Sequence, residues 1–458
     1  MRLRFLPASD ATVGSNTLFE FDGFSFLIDC GLYRGMRGEA HILNTTCEFD
    51  PAHIHAALLT RATPPSVGNF PRLIKKGFAG SVYATPPTAD QCNAIFRDLA
   101  LTFAEETNWL PNGNGIPAPL YTTEEAETAL NHITSVNFHR PFHLLRNLRC
   151  TFYQAGGMLG ASLVALDAHT AEGEKRIVFA NHIGCVEHPI LHSPELTPNA
   201  SILVLQTGPL STETPYSAEA EKRLVETLRQ AVERGGKILI PGDILGNALP
   251  VILALKRHKD DPLFAQLPIR SDSSFTENAA EALRRHHGMI TPEARAHLLA
   301  EEDPFGFASI QYLRGKHHVK NILSQPGPAL LIAPFEDCET GPALGHLAEF
   351  LQDERNLLFL SPDAPCTLAG KLLSGQKEVE AGGQHLHVTA EVVPLHQQSA
   401  PPDQIINYIT LLHSSGPALE GIFLLPDSVE SGELLSAAIE QETGIKPYIP
   451  DGGMEYEW

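Results

Sequence analysis

The sequence predicts an α/β protein with two domains. The chain has 458 residues, which is more than one hydrophobic core usually supports. Hydrophobic residues make up 43% of it, a globular share that excludes a disordered or fibrous protein. Short runs of β-branched residues and leucine alternate with amphipathic helical stretches, and this alternation is typical of α/β folds.

The short apolar runs predict the strands, because each is bounded by Gly, Pro or polar residues. In chain order they are Phe24–Cys30, Ala56–Thr60, Ser81–Ala84, Leu163–Asp167, Arg176–Ala180, Ser201–Leu205, Lys237–Ile240, Ala329–Ala333, Leu357–Leu360, His385–Val393 and Gly421–Leu425. The clearest helix is Ala218–Arg234, with one apolar stripe, Ser217 as N-cap and Gly235-Gly236 as its end. Residues 255–325 predict helix with little strand, and residues 395–404 predict a polar loop.

The charge balance bears on the choice of partners. Lys and Arg total 33 against 54 Asp and Glu, a net charge of -21, which opposes a broad electrostatic grip on nucleic acid. The basic stretches RRHH (284–287) and RGKHHVK (314–320) are interpreted as solvated faces, with RNA contact as the alternative. Seven scattered cysteines, no signal peptide and no membrane-length apolar run predict a cytoplasmic protein with reduced thiols.

Several segments, in order, carry a resemblance to a known family. FSFLIDCGLYRG (24–35) is a strand with an acidic end and a Gly turn, and HAALLTRATPPSVGNFPRLIKKGFAGSVYAT follows it as strand, loop, short helix and strand. Later segments are YQAGGMLGAS (153–162), IVFANHIG (177–184), LVLQTGPLS (203–211) and GGKILIPGDILGNALPVIL. Together they resemble the β-CASP branch of the metallo-β-lactamase superfamily, the RNA-processing nucleases related to the cleavage-and-polyadenylation endonuclease. The resemblance implies a four-layer αββα domain formed by residues 1–205 and 395–458, with an inserted α/β β-CASP domain at 206–394.

The resemblance also implies a metal site, but this chain has other residues at the positions of the family's metal ligands. Active members hold two zinc ions with the signature His-x-His-x-Asp-His, and zinc needs imidazole, carboxylate or thiolate donors. Four positions align with that signature in this chain: Arg61, Thr63, Pro65 and Ser66. Arginine is a permanent cation, and proline has no side-chain donor.

The other positions of the family's site are also changed. The third-locus histidine aligns with Gly157, the bridging aspartate with His182, and the last metal histidine with Ser399, although a short slip would place His396 there. The acidic residue at the β-CASP entry aligns with Gln206, and the proton-donating histidine with Lys371. These substitutions predict that the site holds no zinc.

Two further features of the sequence bear on the site. Asp29 retains the family's acidic residue, and an ion pair with Arg61 is the expected remedy for a buried carboxylate that has lost its metal. His385 and His387 share one strand face, but a metal site there would need two more donors.

The sequence therefore predicts a catalytically inactive pseudo-nuclease that serves as a scaffold or partner subunit in RNA processing. Its partner would be a second copy or an active β-CASP paralogue, with weak RNA binding at most. One alternative is an active hydrolase with a rebuilt site that uses His182, Asp243, His396 or donors outside the aligned positions. Another is an anion binder that uses Arg61, His182 and Lys371.

Overall fold

The chain forms two units. The structure is a computed structural model. It describes the whole chain except residues 7–11, 14–15, 36, 110–118, 172, 209–213, 272–280, 302, 314–324, 335, 337, 340, 363–366, 396–398, 417–418, 451 and 458. The first unit comprises Met1–Val186, His192–Leu210 and Ser399–Trp458, and the second comprises Glu187–Leu191 and Ser211–Gln398.

The first unit contains two large sheets. In spatial order, the strands of the first sheet are Glu455–Glu457, Arg2–Leu6, Asn16–Phe21, Phe24–Ile28, Ile54–Leu58, Ser81–Ala84 and Ile133–Ser135. The strands of the second sheet are Gly421–Leu425, Ile202–Gln206, Gly173–Ala180, Ser162–Thr170, Leu148–Gln154 and Phe142–Leu145. A small third sheet pairs Thr12–Val13 with Arg34–Gly35.

The two large sheets pack face to face over one core. Alternate residues of each strand point into this core, as in Phe26 and Ile28 of one sheet and Phe152 of the other. The rings of Phe19 and Phe179 meet across it, with their centroids 6.2 Å apart. Helices complete the layers of this unit: Arg37–Thr45, Pro64–Val67, Phe70–Lys75, Pro86–Trp109, Thr123–Leu130, Pro402–Ser414 and Val429–Thr443. The predicted four-layer αββα fold is confirmed.

The second unit is built on a parallel sheet. Its strands, in spatial order, are Ile310–Tyr312, Ile269–Ser271, Ala329–Ala333, Lys237–Pro241, Leu357–Leu360 and Glu391–Pro394. All five pairings are parallel, and the strand Lys237–Pro241 is buried along its whole length, as expected of a strand covered on both faces. Its helices are Ala218–Glu233, Leu249–Arg257, Pro262–Ala265, Pro292–Ala300, Gly341–Phe350 and Leu368–Leu373.

The clearest predicted helix is confirmed. Ser217 accepts a hydrogen bond from Ala220 N at 3.1 Å and so caps the helix Ala218–Glu233. Gly235 follows the helix with φ +73°, a left-handed conformation that glycine adopts without steric cost. The helix and the following strand therefore form where the local sequence predicts them.

One prediction of secondary structure was wrong, and another was incomplete. The stretch His385–Val393 is two strands, Gln384–His387 and Glu391–Pro394, because the N–H groups of Thr389 and Ala390 both donate to Leu351 O. The stretch 255–325 contains the strands Ile269–Ser271 and Ile310–Tyr312, which pair with each other. Strands of this length carry too few residues to show a period in the sequence.

None of the helices in the described part of the chain combines the length and the apolar character that a bilayer crossing requires.

Candidate active site

The site is organised around Asp29, a fully buried carboxylate at the end of the strand Phe24–Ile28. Its carboxylate accepts hydrogen bonds from Thr60 N at 2.7 Å, from Thr60 Oγ1 at 2.7 Å and from Asn181 Nδ2 at 2.8 Å. Thr60 follows a strand of the first sheet, and Asn181 follows a strand of the second. Asp29 therefore ties the two sheets together where these strands end.

Asp29 itself has an unusual backbone conformation. Its φ is +61°, a left-handed value that Asp and Asn tolerate better than most residues. Burial raises the pKa of Asp29 to about 6, although the hydrogen bonds from Thr60 and Asn181 and the charge of Arg61 each lower it. The carboxylate is thus costly to bury and is held by an unusually complete set of donors.

The predicted ion pair between Arg61 and Asp29 is replaced by a different arrangement of hydrogen bonds. The donors to Asp29 are the neutral groups of Thr60 and Asn181, whereas Arg61 Nε donates to Ser66 Oγ at 3.0 Å. Arg61 acts on Asp29 through its charge.

The four positions that align with the metal signature form one hydrogen-bonded turn. Thr63 is the residue before the short helix Pro64–Val67, and its hydroxyl lies 3.1 Å from Ser66 Oγ. Ser66 is fully buried, and its carbonyl accepts a hydrogen bond from Cys30 N at 2.7 Å. This turn therefore presents a guanidinium, two hydroxyls and a proline ring.

Gly157 and Ser399 are brought together at Gly184. Gly184 N donates to Ala155 O at 2.8 Å, and Gly184 forms an isolated antiparallel bridge with Ser399. Gly157 has φ +68°, and a Cβ added at Gly184 would lie 2.1 Å from Gly157 N. The aligned positions thus converge in space, with backbone packed against backbone.

His182 lies between Asn181 and this glycine contact, and it is the one imidazole at the aligned positions. Its Nε2 atom is enclosed and has no hydrogen-bond partner among the described residues. Burial, followed by the charge of Arg61, holds the pKa of His182 well below its usual value of 6.5. The ring is therefore neutral, and its Nε2 atom is an unused polar group within the described part of the chain.

The remaining predicted residues belong to other parts of the chain. Gln206 ends the strand next to the one that precedes His182, and its Oε1 atom is enclosed without a partner in the described part of the chain. Lys371 is exposed on the helix Leu368–Leu373 of the second unit. Asp243 is buried in the second unit, where it accepts a hydrogen bond from Gly246 N at 2.7 Å. His396 lies outside the described residues.

Sequence reasoning missed two residues of this cluster. Thr60 and Asn181 are the donors that hold Asp29, and neither was predicted to have a role. The available signal was their position, because each polar side chain lies at the end of an apolar run of the same domain. Strand ends in α/β folds are where such side chains meet.

The comparisons with known proteins agree with this architecture. A model of the metallo-β-lactamase superfamily domain matches residues 18–203, and a model of the Beta-Casp domain matches residues 248–372. The chain belongs to the β-CASP branch of the metallo-β-lactamase superfamily. This β-CASP protein is 28% identical over 415 residues to a ribonuclease of Thermus thermophilus, covering 89% of this chain and 90% of that one.

Two other comparisons extend this result. A transcription termination factor of Methanocaldococcus jannaschii is 24% identical over 401 residues, covering 85% of this chain and 61% of its own length. A crystal structure of an Enterococcus faecalis protein of unknown function superposes with TM-score 0.50 and 12% identity over 99% of both chains, which shows the fold alone. The family is thus one of hydrolytic ribonucleases and of factors in RNA processing or termination.

The comparisons overturn one expectation about the cofactor. The substitutions at the signature predict a chain without zinc, but the family matched here is a metallo-hydrolase family, and it points to zinc as the cofactor. The aligned residues do not fit the family's way of holding that metal, because within the described ranges no three His, Cys, Asp or Glu side chains are grouped for an ion.

Proposed function

We propose that this β-CASP protein is a pseudo-nuclease that acts as a scaffold or partner subunit in RNA processing. The observation that carries the proposal is the turn formed by Arg61, Thr63 and Ser66. Hydrolysis in this family takes place on a metal-activated water, and that role needs donors with an open coordination position. Here the same positions are occupied by side chains that hydrogen-bond one another. The proposal concerns hydrolysis at this site and not whether the chain binds zinc elsewhere.

A second candidate function is an active hydrolase with a rebuilt site. The observation in its favour is His182, a neutral imidazole with an enclosed Nε2 atom and no hydrogen-bond partner among the described residues. A neutral imidazole can act as a general base if a substrate proton lies within hydrogen-bond reach. The similarity to a named ribonuclease also favours this candidate. The two candidates differ in whether removal of the imidazole changes RNA cleavage.

The proposed partner is another β-CASP chain, either a second copy or an active paralogue. The C-terminal segment of the first unit exposes apolar side chains, among them Val429, Leu434 at 69%, Tyr448 and Met454. Exposed apolar side chains of this kind suit a protein interface, whereas the net charge of -21 opposes binding to the phosphate backbone.

We expect Leu434→Glu to weaken this pairing at least about tenfold, because a charge in an apolar contact costs about 1.4 kcal/mol or more. Light scattering of the purified chain, alone and mixed with the paralogue, measures the complex. Leu299→Glu is the matched control, since Leu299 is 77% exposed on the helix Pro292–Ala300 of the second unit. A strict monomer that ignores the paralogue but binds single-stranded RNA at physiological salt would overturn the partner proposal.

A further inference from the structure

Two cysteines of the first unit line one small pocket beside the candidate site. Cys30 directly follows Asp29 and is buried, whereas Cys47 follows the helix Arg37–Thr45 and is partly exposed. Both are free thiols. The same pocket is lined by Asn69 and Arg72.

The segments that carry the two thiols are held side by side. The side chain of Asn44 accepts a hydrogen bond from Tyr33 N at 2.8 Å and donates one to Tyr33 O at 2.8 Å. Tyr33 lies three residues after Cys30, and Asn44 lies three residues before Cys47. This double hydrogen bond joins the two segments three residues away from each cysteine.

A buried cation contacts the more exposed thiol. Arg72 is 4% exposed, and its Nη1 atom lies 3.4 Å from Cys47 Sγ. The same guanidinium donates to the carbonyls of Thr45 and Thr46, so its position is fixed. Cys47 is thus the thiol of the two that is both partly exposed and in contact with a fixed cation.

The second thiol is kept in its protonated form. Burial, followed by the neighbouring Cys47, raises the pKa of the Cys30 thiol, while Arg72 lowers it. The two cysteines therefore have different chemical characters: Cys47 is accessible beside a cation, and Cys30 is an enclosed thiol.

An unused acceptor also lines the pocket. Asn69 is 6% exposed, and its Oδ1 atom has no hydrogen-bond partner among the described residues. A small ligand with an O–H group can donate to this oxygen, and a buried acceptor without a donor is costly.

We propose that Cys47 and Cys30 form an oxidation-sensitive pair that hydrogen peroxide converts to a disulfide. The Cys47 thiolate attacks one peroxide oxygen, the O–O bond breaks, and the second oxygen leaves as water after taking up a proton, which gives a sulfenic acid. The Cys30 sulfur then attacks the Cys47 sulfur, the S–O bond breaks, and water leaves with the Cys30 proton. Two thiols and one peroxide thus give one disulfide and two waters.

The disulfide would act on the candidate site through the backbone of Cys30. Cys30 N donates to Ser66 O at 2.7 Å, and Cys30 O accepts from Asn69 N at 3.0 Å. A covalent link at Cys30 therefore pulls on the turn that contains Ser66. This gives the site a redox-dependent geometry that is independent of whether the site hydrolyses RNA.

The test is peptide mapping of the full chain after brief exposure to hydrogen peroxide, with alkylation of the remaining thiols. Trypsin cleaves at Arg34 and Arg37, so a disulfide joins two separate peptides. We expect most of the protein to show this cross-link, to lose it on reduction, and to show a stable sulfenic acid at Cys47 in Cys30→Ser. The buried Cys92 and Cys150 serve as internal controls that stay alkylatable after unfolding.

Two outcomes would overturn the pair. In one, all thiols survive peroxide unchanged; in the other, Cys47 proceeds to a sulfinic acid while Cys30 stays reduced. Circular dichroism of Cys30→Ser shows whether that variant is folded, and Cys47→Ser, which must lose the cross-link, supplies a second variant at a less buried position.

Discussion

Asp29→Ala should lower the free energy of unfolding by about 3–5 kcal/mol, because it removes the acceptor that three buried donors share. The substitution leaves Thr60 N, Thr60 Oγ1 and Asn181 Nδ2 without their acceptor, and each unsatisfied buried donor costs about 1–3 kcal/mol. It also places alanine at φ +61°, where the Cβ atom is unfavourable. Urea unfolding followed by circular dichroism measures the change.

The matched control for this prediction is Asp260→Ala. Asp260 is exposed in a turn of the second unit, and its loss should change stability by no more than about 0.5 kcal/mol. Equal midpoints for Asp29→Ala and Asp260→Ala would show that the Asp29 network contributes nothing to the fold.

Asp29→Asn replaces the titratable carboxyl group by a neutral amide of nearly the same shape, so it tests how the charge of Asp29 affects stability. Since burial raises the pKa of Asp29 to about 6 from 3.8, the folded chain keeps a proton that the unfolded chain has lost between these values. The part of the stability that is linked to this proton is therefore present below about pH 4 and is lost as pH rises through about 6, by about 1.4 kcal/mol per pH unit. Asp243 has the same raised pKa and adds the same slope to every variant, so the difference between wild type and Asp29→Asn isolates Asp29.

Gly184→Ala should destabilise the first unit by about 3 kcal/mol, at the upper end of the range for overpacking. The new Cβ would lie 2.1 Å from Gly157 N and 2.3 Å from Gly156 C. Both are backbone atoms, so no side-chain rotation can relieve the contact. The turn that contains Gly157 and the bridge to Ser399 must move instead.

Gly345→Ala is the control for this substitution. Gly345 lies in the helix Gly341–Phe350 and has no heavy atom within 4 Å of an added Cβ. It should gain about 0.5–1 kcal/mol, since alanine is the better helix former. An unchanged unfolding midpoint for Gly184→Ala would contradict the packing of Gly184 on the Gly156–Gly157 turn.

Much of the fold could be predicted because local and global signals agree. The helix after Ser217 has a cap, an apolar stripe and a glycine end, and the structure contains each of them. The strand break at Thr389 could not be predicted, because its cause is a pair of hydrogen bonds to Leu351, a residue distant in sequence. Such long-range contacts leave no periodicity in the chain.

In the candidate site, too, some residues could be predicted from the sequence and others could not. Alignment by resemblance placed Arg61, Gly157, His182 and Ser399 in one region, and the first unit brings them together. The partners of Asp29 depend on how two sheets meet, so Thr60 and Asn181 could not be identified from spacing. The expectation of a chain without zinc rested on single aligned positions, whereas the family that the chain matches points to zinc.

The most direct test of the pseudo-nuclease proposal is cleavage of a labelled single-stranded RNA by the purified chain with zinc supplied. An active family ribonuclease is the positive control, and His182→Ala is the matched variant. The account predicts that wild type and His182→Ala both give the product level of buffer alone. Cleavage that follows the protein through gel filtration and falls at least about tenfold in His182→Ala would contradict it, because that loss would assign a catalytic role to the imidazole.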